Sequence, residues 1–544
     1  MPLRVYNSLT RQKEELHPLK PGKLGVYVCG VTVYDLCHVG HARVYVVFDT
    51  IVRFLRRDHA VTYVRNFTDV DDKIIRRSTE RAEDPLALAA RFVDEFHADM
   101  DALGVARADI EPKVSTHMDE IVRFIAELED KGFAYRVKTT STVEGAGDDV
   151  YFHVNKMPAA RYLQLSGRHL EDMMSGARVA VDERKDDPLD FALWKSAKPG
   201  EIAWDSPFGR GRPGWHIECS AMAKKHLGVT FDIHGGGKDL IFPHHTNEIA
   251  QSECNHGEPM ARFWLHNGFI NFNDEKMAKS VGNFFTIREL WPYCTGEALR
   301  FFLLSTHYRG DVNFDVVTSC PSCGVELPPA DQTSLACSAC GTALTHEGLR
   351  QRVRFPNLEE AERRIQYVYE TMARIDAYLK KQVAVDGPTL EFAFSQPGQP
   401  FHPWQDFVDA FEDDFNTPRA IAALNDLLRV ANLLVAGREK EVTGQKLKPD
   451  VRARLLSEGR ALLRHMGALL GLGEQEPAAF LERQRALRLK VRGVEVKTVE
   501  GLMQERAAAK QQKDFARADA VRASLIELGI EVRDTPDGVE WSVL

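Results

Sequence analysis

No stretch of this sequence reaches the roughly 18 consecutive apolar residues that suggest a membrane span. Its longest apolar runs, such as Val44 to Phe48, fit buried strands or helix faces. The first residues, Met-Pro-Leu-Arg-Val-Tyr, lack the basic-then-apolar pattern of an export signal. There is no internal repeat and no low-complexity tract. The cysteines number nine, an odd count in a chain without a leader. A disulfide framework is therefore not expected, and reduced thiols or metal ligands are. These absences together predict a cytoplasmic protein with no membrane partner. Neither sign of charge dominates: 70 Lys and Arg against 79 Asp and Glu leave −9. That total argues against binding nucleic acid over the whole surface and leaves room for a local basic face.

What is present is material for several cores. Of the 544 residues 44% are hydrophobic, and at roughly 150 residues per domain three or four domains are expected. Leu24 to Cys29 reads as a short strand ending at Gly30, with Val31 to Cys37 as a loop. From His38 to Arg57 the apolar residues Val44, Phe48, Ile51 and Leu55 recur at helical spacing, and Ala60 to Val64 returns to strand. This is a βαβ unit, which implies parallel strands. Helices are predicted over 85–103 and 118–131. Residues 112–205, with the Gly- and Asp-rich segment 143–149, read as an insertion between two halves of one nucleotide-binding fold. The α/β pattern resumes with a helix over 215–227, a strand over 230–233 and a helix over 246–254. Long helices follow over 358–380, 417–436 and 449–470. The stretch from Asp386 to Pro403 reads as a linker. Helices near 499–511 and 515–528 and a strand pair ending at Trp541 close the chain.

Two motifs carry phosphate chemistry. His38-Val39-Gly40-His41 lies where a loop enters a helix, and a helix N-terminus offers free N–H groups and positive potential to a triphosphate. Gly40 has no Cβ and could let a flat adenine approach the backbone. Imidazoles three positions apart share one face of the first turn. Lys276-Met277-Ala278-Lys279-Ser280 follows a polar segment and precedes Gly282, which reads as a mobile loop. Its two ammonium groups could close over the β and γ phosphates as charge develops.

These two signatures resemble those of the class I aminoacyl-tRNA synthetases, which carry a His-Ile-Gly-His-like motif early and a Lys-Met-Ser-Lys-Ser-like motif late. Here Val39 stands for Ile and Ala278 for the loop Ser. Within that class, three longer stretches are similar to cysteinyl-tRNA synthetase. They are Tyr27 to Asp35, Gly214 to Met222, and Phe231 to Glu248. The resemblance covers most of residues 1–315 and, more weakly, 355–544. It implies a zinc ion held by Cys29, Cys219, His244 and Glu248, a tetrahedral thiolate, imidazole and carboxylate set. A soft thiolate substrate would bind that metal better than a hydroxyl, so zinc would select cysteine over serine without an editing domain. The resemblance also implies that Thr68 and Trp215 face the amino-acid pocket, that His234 and Gly235–Gly237 border an adenylate, and that Asp239 contacts ribose or amino group. Substrates would be L-cysteine, tRNA(Cys) and ATP with Mg2+, and the protein is expected to be a monomer.

Cys320, Cys323, Cys337 and Cys340 form two Cys-x-x-Cys knuckles thirteen residues apart. This spacing resembles a zinc ribbon, and four thiolates could fold a segment with almost no apolar core. It reads as a second, structural zinc, a staple rather than an extra tRNA contact. Residues 481–533 hold twelve Lys or Arg against eight Asp or Glu. There Lys510, Phe515 and Asp519 are candidates for reading an anticodon. The expected class is α/β. A Rossmann-type catalytic domain over 1–111 and 206–317 is interrupted by an insertion over 112–205. A ribbon-like insertion over 318–354, a helical bundle over 355–480 and a small anticodon-binding domain over 481–544 follow. Two other functions stay open. One is a cysteine ligase acting on an amino sugar, and the other is a zinc-ribbon nucleic-acid-binding protein without catalysis.

Overall fold

The computed structural model describes residues 2–168, 184–277, 284–327, 336–344, 353–381, 394–396, 399–535 and 538–543. Ala278, Lys279, Ser280 and Gly282 lie outside them.

Four parallel strands form the central sheet, in the order Ala261–Asn267, Phe231–Gly237, Lys23–Thr32, Ala60–Thr68. The helix Val39–Leu55 makes the crossover between the last two, as the spacing of Val44, Phe48, Ile51 and Leu55 predicts. Strand order reverses between Lys23–Thr32 and Phe231–Gly237. In open parallel sheets ligands bind beyond the carboxyl ends of the strands at such a switch point. Gly235 belongs to this packing: a Cβ there would stand 2.3 Å from the Phe48 ring. The glycine is there to admit the crossover helix onto the sheet.

The interruption between the two halves is a four-stranded antiparallel sheet of Ala134–Val137, Asp149–Phe152, Phe191–Ser196 and Gly211–Pro213. Its last strand, Gly211–Pro213, lies beyond residue 205. The helix Trp215–Leu227 starts directly after it.

Further along, Ile270–Phe272 and Glu275–Lys276 form a tight hairpin. Its turn residues Asn273 and Asp274 both have positive φ, 49° and 64°, as two-residue hairpins require. Lys276 thus stands on a strand end, where the polar composition had suggested loop. Val317–Ser319 pairs with both Glu326–Leu327 and Val353–Arg354, tying the two ends of the cysteine-rich insertion together. Within the stretch read as a linker, Phe394–Gln396 and Gln399–Phe401 pair as strands, and Pro403 opens the helix Pro403–Glu412.

One hydrophobic core runs from the crossover helix into the helical bundle. Polar ties cross the same boundary. Arg300 donates to Asp49 Oδ2 at 2.5 Å and to the Leu470 carbonyl at 2.6 Å, joining crossover helix, catalytic half and bundle. Buried Asp414 accepts from the Tyr6 amide, the Tyr308 hydroxyl and the Arg309 guanidinium. The C-terminal segment has its own small core of Leu489, Val499, Val521, Leu525, Ile530, Val532 and Val543. Among the described residues no helix is long and apolar enough to cross a membrane.

Candidate active site and metal centre

His38 is the N-cap of the crossover helix and His41 its third residue, joined as a capping box. The Gly40 amide donates to His38 Nδ1 at 3.1 Å, and the His38 amide donates to His41 Nδ1 at 3.2 Å. Each ring accepts at Nδ1, so a neutral imidazole carries its proton on Nε2. The rings stack with centroids 3.7 Å apart, presenting a paired donor at the helix N-terminus. A Cβ on Gly40 would lie 2.8 Å from the His38 ring and 3.4 Å from Met277 Cε. The glycine is required by the folded-back imidazole. The same contact brings the two motifs together across about 240 residues of sequence. Thr286, just past the lysine motif, bridges to His38, and the Val39 amide donates to the Phe285 carbonyl at 3.2 Å. Lys276 Nζ sits 3.9 Å from the centre of the Phe269 ring.

At the switch point four buried side chains converge. Cys29 comes from the strand Lys23–Thr32, Cys219 from the helix Trp215–Leu227 that leads to the strand Phe231–Gly237, and His244 and Glu248 from the turn and helix after that strand. One donor atom from each lies within 4.8 Å of every other. The two Sγ atoms are 3.8 Å apart. That matches the edge of a tetrahedron with Zn–S bonds of about 2.3 Å, also about 3.8 Å. Cys29 Sγ is 3.5 Å from Glu248 Oε1, and His244 Nε2 is 2.6 Å from the same oxygen. The donor set and spacing fit zinc. Burial works against the charge on Glu248, yet His244 and His234 hold its carboxyl well below the usual range. Burial pushes the Cys29 thiol up, while the hydrogen bond from Cys29 draws the Cys219 thiol down.

Around this cluster stand residues that single-residue reading missed. His216 Nδ1 meets His244 Nδ1 at 3.0 Å. Asn66 Oδ1 accepts from the Gly30 amide at 2.8 Å and lies 3.7 Å from Cys219 Sγ. His245 Nδ1 meets His266 Nε2 at 2.8 Å. His245 also belongs to a second grouping, Cys29, His234, His245 and Glu248. That set keeps only one thiol, so the two-thiol set suits a soft metal better. The adjacent pair His244-His245 and the His three before Cys219 were the available signals.

Thr68 is buried and donates to Glu218 Oε2 at 3.3 Å. Burial, with Cys219, Asp71 and Asp69 nearby, raises the Glu218 carboxyl well above its ordinary value. Trp215 is 38% exposed and stacks on His244 at 4.3 Å, covering that imidazole from the open side. His234 is fully buried, with Nε2 2.5 Å from Glu248 Oε2 and its ring stacked on Trp264. It stands behind the carboxylate. Asp239 is exposed beyond the end of the third strand.

The knuckles converge as well: Cys320, Cys323, Cys337 and Cys340 place their sulfurs within 4.8 Å of one another. Both turns close alike, Gly324 N donating to the Cys320 carbonyl and Gly341 N to that of Cys337. Among the described residues, Leu327 and Leu344 alone join the two buried cysteines in an apolar cluster, which fits a metal-held segment. In the C-terminal segment Lys510 Nζ pairs with Asp534 at 2.7 Å, Phe515 is 64% exposed, and Asp519 is exposed on the same helix.

Fold and site together define a class I aminoacyl-tRNA synthetase. Residues 15–318 match the family described as tRNA synthetases class I (C) catalytic domain, 406–474 a DALR domain, and 494–541 a cysteinyl-tRNA ligase anticodon binding domain. Two structures of Mycobacterium tuberculosis methionyl-tRNA synthetase bound to methionyl-adenylate share the fold. Their TM-scores are 0.51 and 0.52 at 14% and 15% identity, covering 84% and 87% of this chain and 93% and 95% of theirs. A cysteine–tRNA ligase of Anaeromyxobacter dehalogenans (strain 2CP-C) is 48% identical over 549 residues, and one of Geobacter metallireducens is 45% identical over 544. Each alignment covers 100% of both chains. The chain belongs to the cysteine–tRNA ligase family, enzymes that form an aminoacyl-tRNA ester.

Proposed function

We propose that this enzyme activates L-cysteine with Mg-ATP and charges tRNA(Cys), working as a cytoplasmic monomer. The cysteine carboxylate attacks the α-phosphate of ATP, forming cysteinyl-adenylate and releasing pyrophosphate. The terminal ribose hydroxyl of tRNA then attacks the acyl carbon and releases AMP. Positioning and charge stabilisation account for most of such catalysis. His38 and His41 donate from Nε2 to phosphate oxygens, Gly40 keeps the rings folded back, and Lys276 and Lys279 neutralise the leaving pyrophosphate. Cys29, Cys219, His244 and Glu248 would hold zinc, which would supply a soft site for the substrate thiolate in preference to a serine hydroxyl. Trp215 and Thr68 line the amino-acid pocket, Asp239 meets ribose or amino group, and His234 orients Glu248. Cys320, Cys323, Cys337 and Cys340 hold a second, structural zinc. Phe515 stacks on an anticodon base with Lys510 and Asp519 beside it.

The observation that carries this reading is the convergence of two thiols, an imidazole and a carboxylate at the sheet's switch point. Cysteine-dependent ATP–pyrophosphate exchange tests it. Cys219→Ala is expected to raise the KM for cysteine at least about tenfold while that for ATP holds, since one ligand of the selecting site is gone. An unchanged KM for cysteine would remove these residues from substrate selection.

A further inference from the structure

Cys29 and Glu248 stand between two groups of donors. On one side are Cys219 and His244, which complete the set described above. On the other are His234 and His245. One donor atom each from Cys29, His234, His245 and Glu248 also lies within 4.8 Å of the rest, and all four side chains are buried. The two oxygens of Glu248 divide between the groups. Oε1 lies 2.6 Å from His244 Nε2, and Oε2 lies 2.5 Å from His234 Nε2. A carboxylate with one oxygen on each side suits a two-metal site, whose ions stand about 3.5 to 4 Å apart.

His245 is held as a metal ligand is held. Its Nδ1 meets His266 Nε2 at 2.8 Å, and His266 Nδ1 meets Ser8 Oγ at 2.9 Å. With each ring donating outward along that chain, His245 keeps a lone pair on Nε2. Metal-bound imidazoles almost always have their other nitrogen anchored in this way. Among the described residues His245 Nε2 and His234 Nδ1 have no hydrogen-bond partner, although both atoms are buried. Leaving buried polar atoms unpaired is costly, and the reaction proposed above makes no use of His245. Gly236 lies against the free nitrogen: a Cβ there would stand 3.2 Å from His245 Nε2. A side chain at that position would crowd it.

We infer that Cys29, His234, His245 and Glu248 bind a second zinc ion beside the selecting one, with Glu248 shared between the two. One thiol, two imidazoles and a carboxylate are all zinc ligands. With a single thiol the set is less soft than its neighbour, so it binds more weakly and fills second. An ion there draws on two ligands of the selecting zinc and loosens its grip on the substrate thiolate. Zinc in excess thereby restrains the enzyme. The inference rests on the zinc-selection reading above.

The test titrates the metal-free, full-length enzyme with Zn2+, and with Co2+ for its visible absorption, in the absence of cysteine. The wild type is expected to bind about one ion per chain more than His245→Ala, since a ligand of the second position is gone. The last Co2+ to enter the wild type is expected to add absorption that His245→Ala lacks. His266→Ala, which removes only the anchor of His245, is expected to weaken that last ion by about 10- to 100-fold while the tighter ions hold. Excess zinc is expected to raise the KM for cysteine in the wild type and not in His245→Ala. That comparison also cancels the capture of free cysteine by zinc. Equal ion content in the wild type and His245→Ala would overturn the inference, and so would an unchanged affinity for the last ion in His266→Ala. Wild-type ion content in Cys219→Ala would instead strike the zinc-selection reading.

Discussion

Glu248 is gripped from both sides, by His244 on one oxygen and His234 on the other. A carboxylate so fixed is held in one orientation, and its partner His234 is fully buried. Residues that orient a ligand typically contribute 10- to 100-fold in metal affinity. His234→Ala is therefore expected to weaken zinc binding by about 10- to 100-fold in chelator competition. Unaltered affinity would show that Glu248 is held without it. The four candidate ligands are legible because the long motif stretches that carry the family resemblance surround them. His216 and Asn66 were not, because their importance lies in contacts to His244 and Cys219 that no local pattern encodes. Gly40 was legible for a different reason than the one that holds. The sequence suggests room for adenine, whereas the structure puts the His38 ring in that space.

Elements were read most closely where side-chain chemistry marks their ends. Pro449 and Gly471 bracket one bundle helix, and Pro85 opens a helix of the catalytic half, each within a residue of expectation. Short strands escaped. Gly211–Pro213 and Val317–Ser319 are three residues each, too short to show an alternating pattern. The same holds for Glu275–Lys276, whose turn residues Asn273 and Asp274 look like ordinary loop. One helix has a pH-dependent tether to the insertion. Asp72, at the start of Asp72–Arg81, bonds Lys195 at 2.8 Å and Arg212. Burial opposes ionisation, but Lys195 and Arg212 bring its pKa down to about 2. A folded-state pKa below the unfolded value of about 3.9 stabilises above that value and loses the effect as pH falls. Asp72→Asn is accordingly expected to lower Tm at pH 7. The gap to wild type should narrow from pH 4 downward and close near pH 2. A gap constant across that range would show that the charge of Asp72 does not matter.

At the scale of the whole molecule, catalytic half and bundle behave as one body. They share a core, and Arg300 and Asp414 tie them through buried hydrogen bonds. The anticodon-binding module has a separate core and reaches the rest through the helix Pro477–Val491. That division was partly visible in composition, since the basic C-terminal segment stands apart from an acidic chain. The continuity of the catalytic core with the bundle was not, because it depends on which helix faces meet.

The most direct measurement is charging of tRNA(Cys) with labelled cysteine or labelled serine, by the zinc-loaded enzyme and by the same enzyme after metal removal. Cysteine is expected to be charged and serine to lag by about 10,000-fold or more, as sites built around a specific polar group achieve. Metal removal is expected to abolish cysteine charging, and zinc to restore it. Undiminished cysteine charging without zinc, or comparable charging of serine, would contradict the assignment of Cys29, Cys219, His244 and Glu248 as the selector.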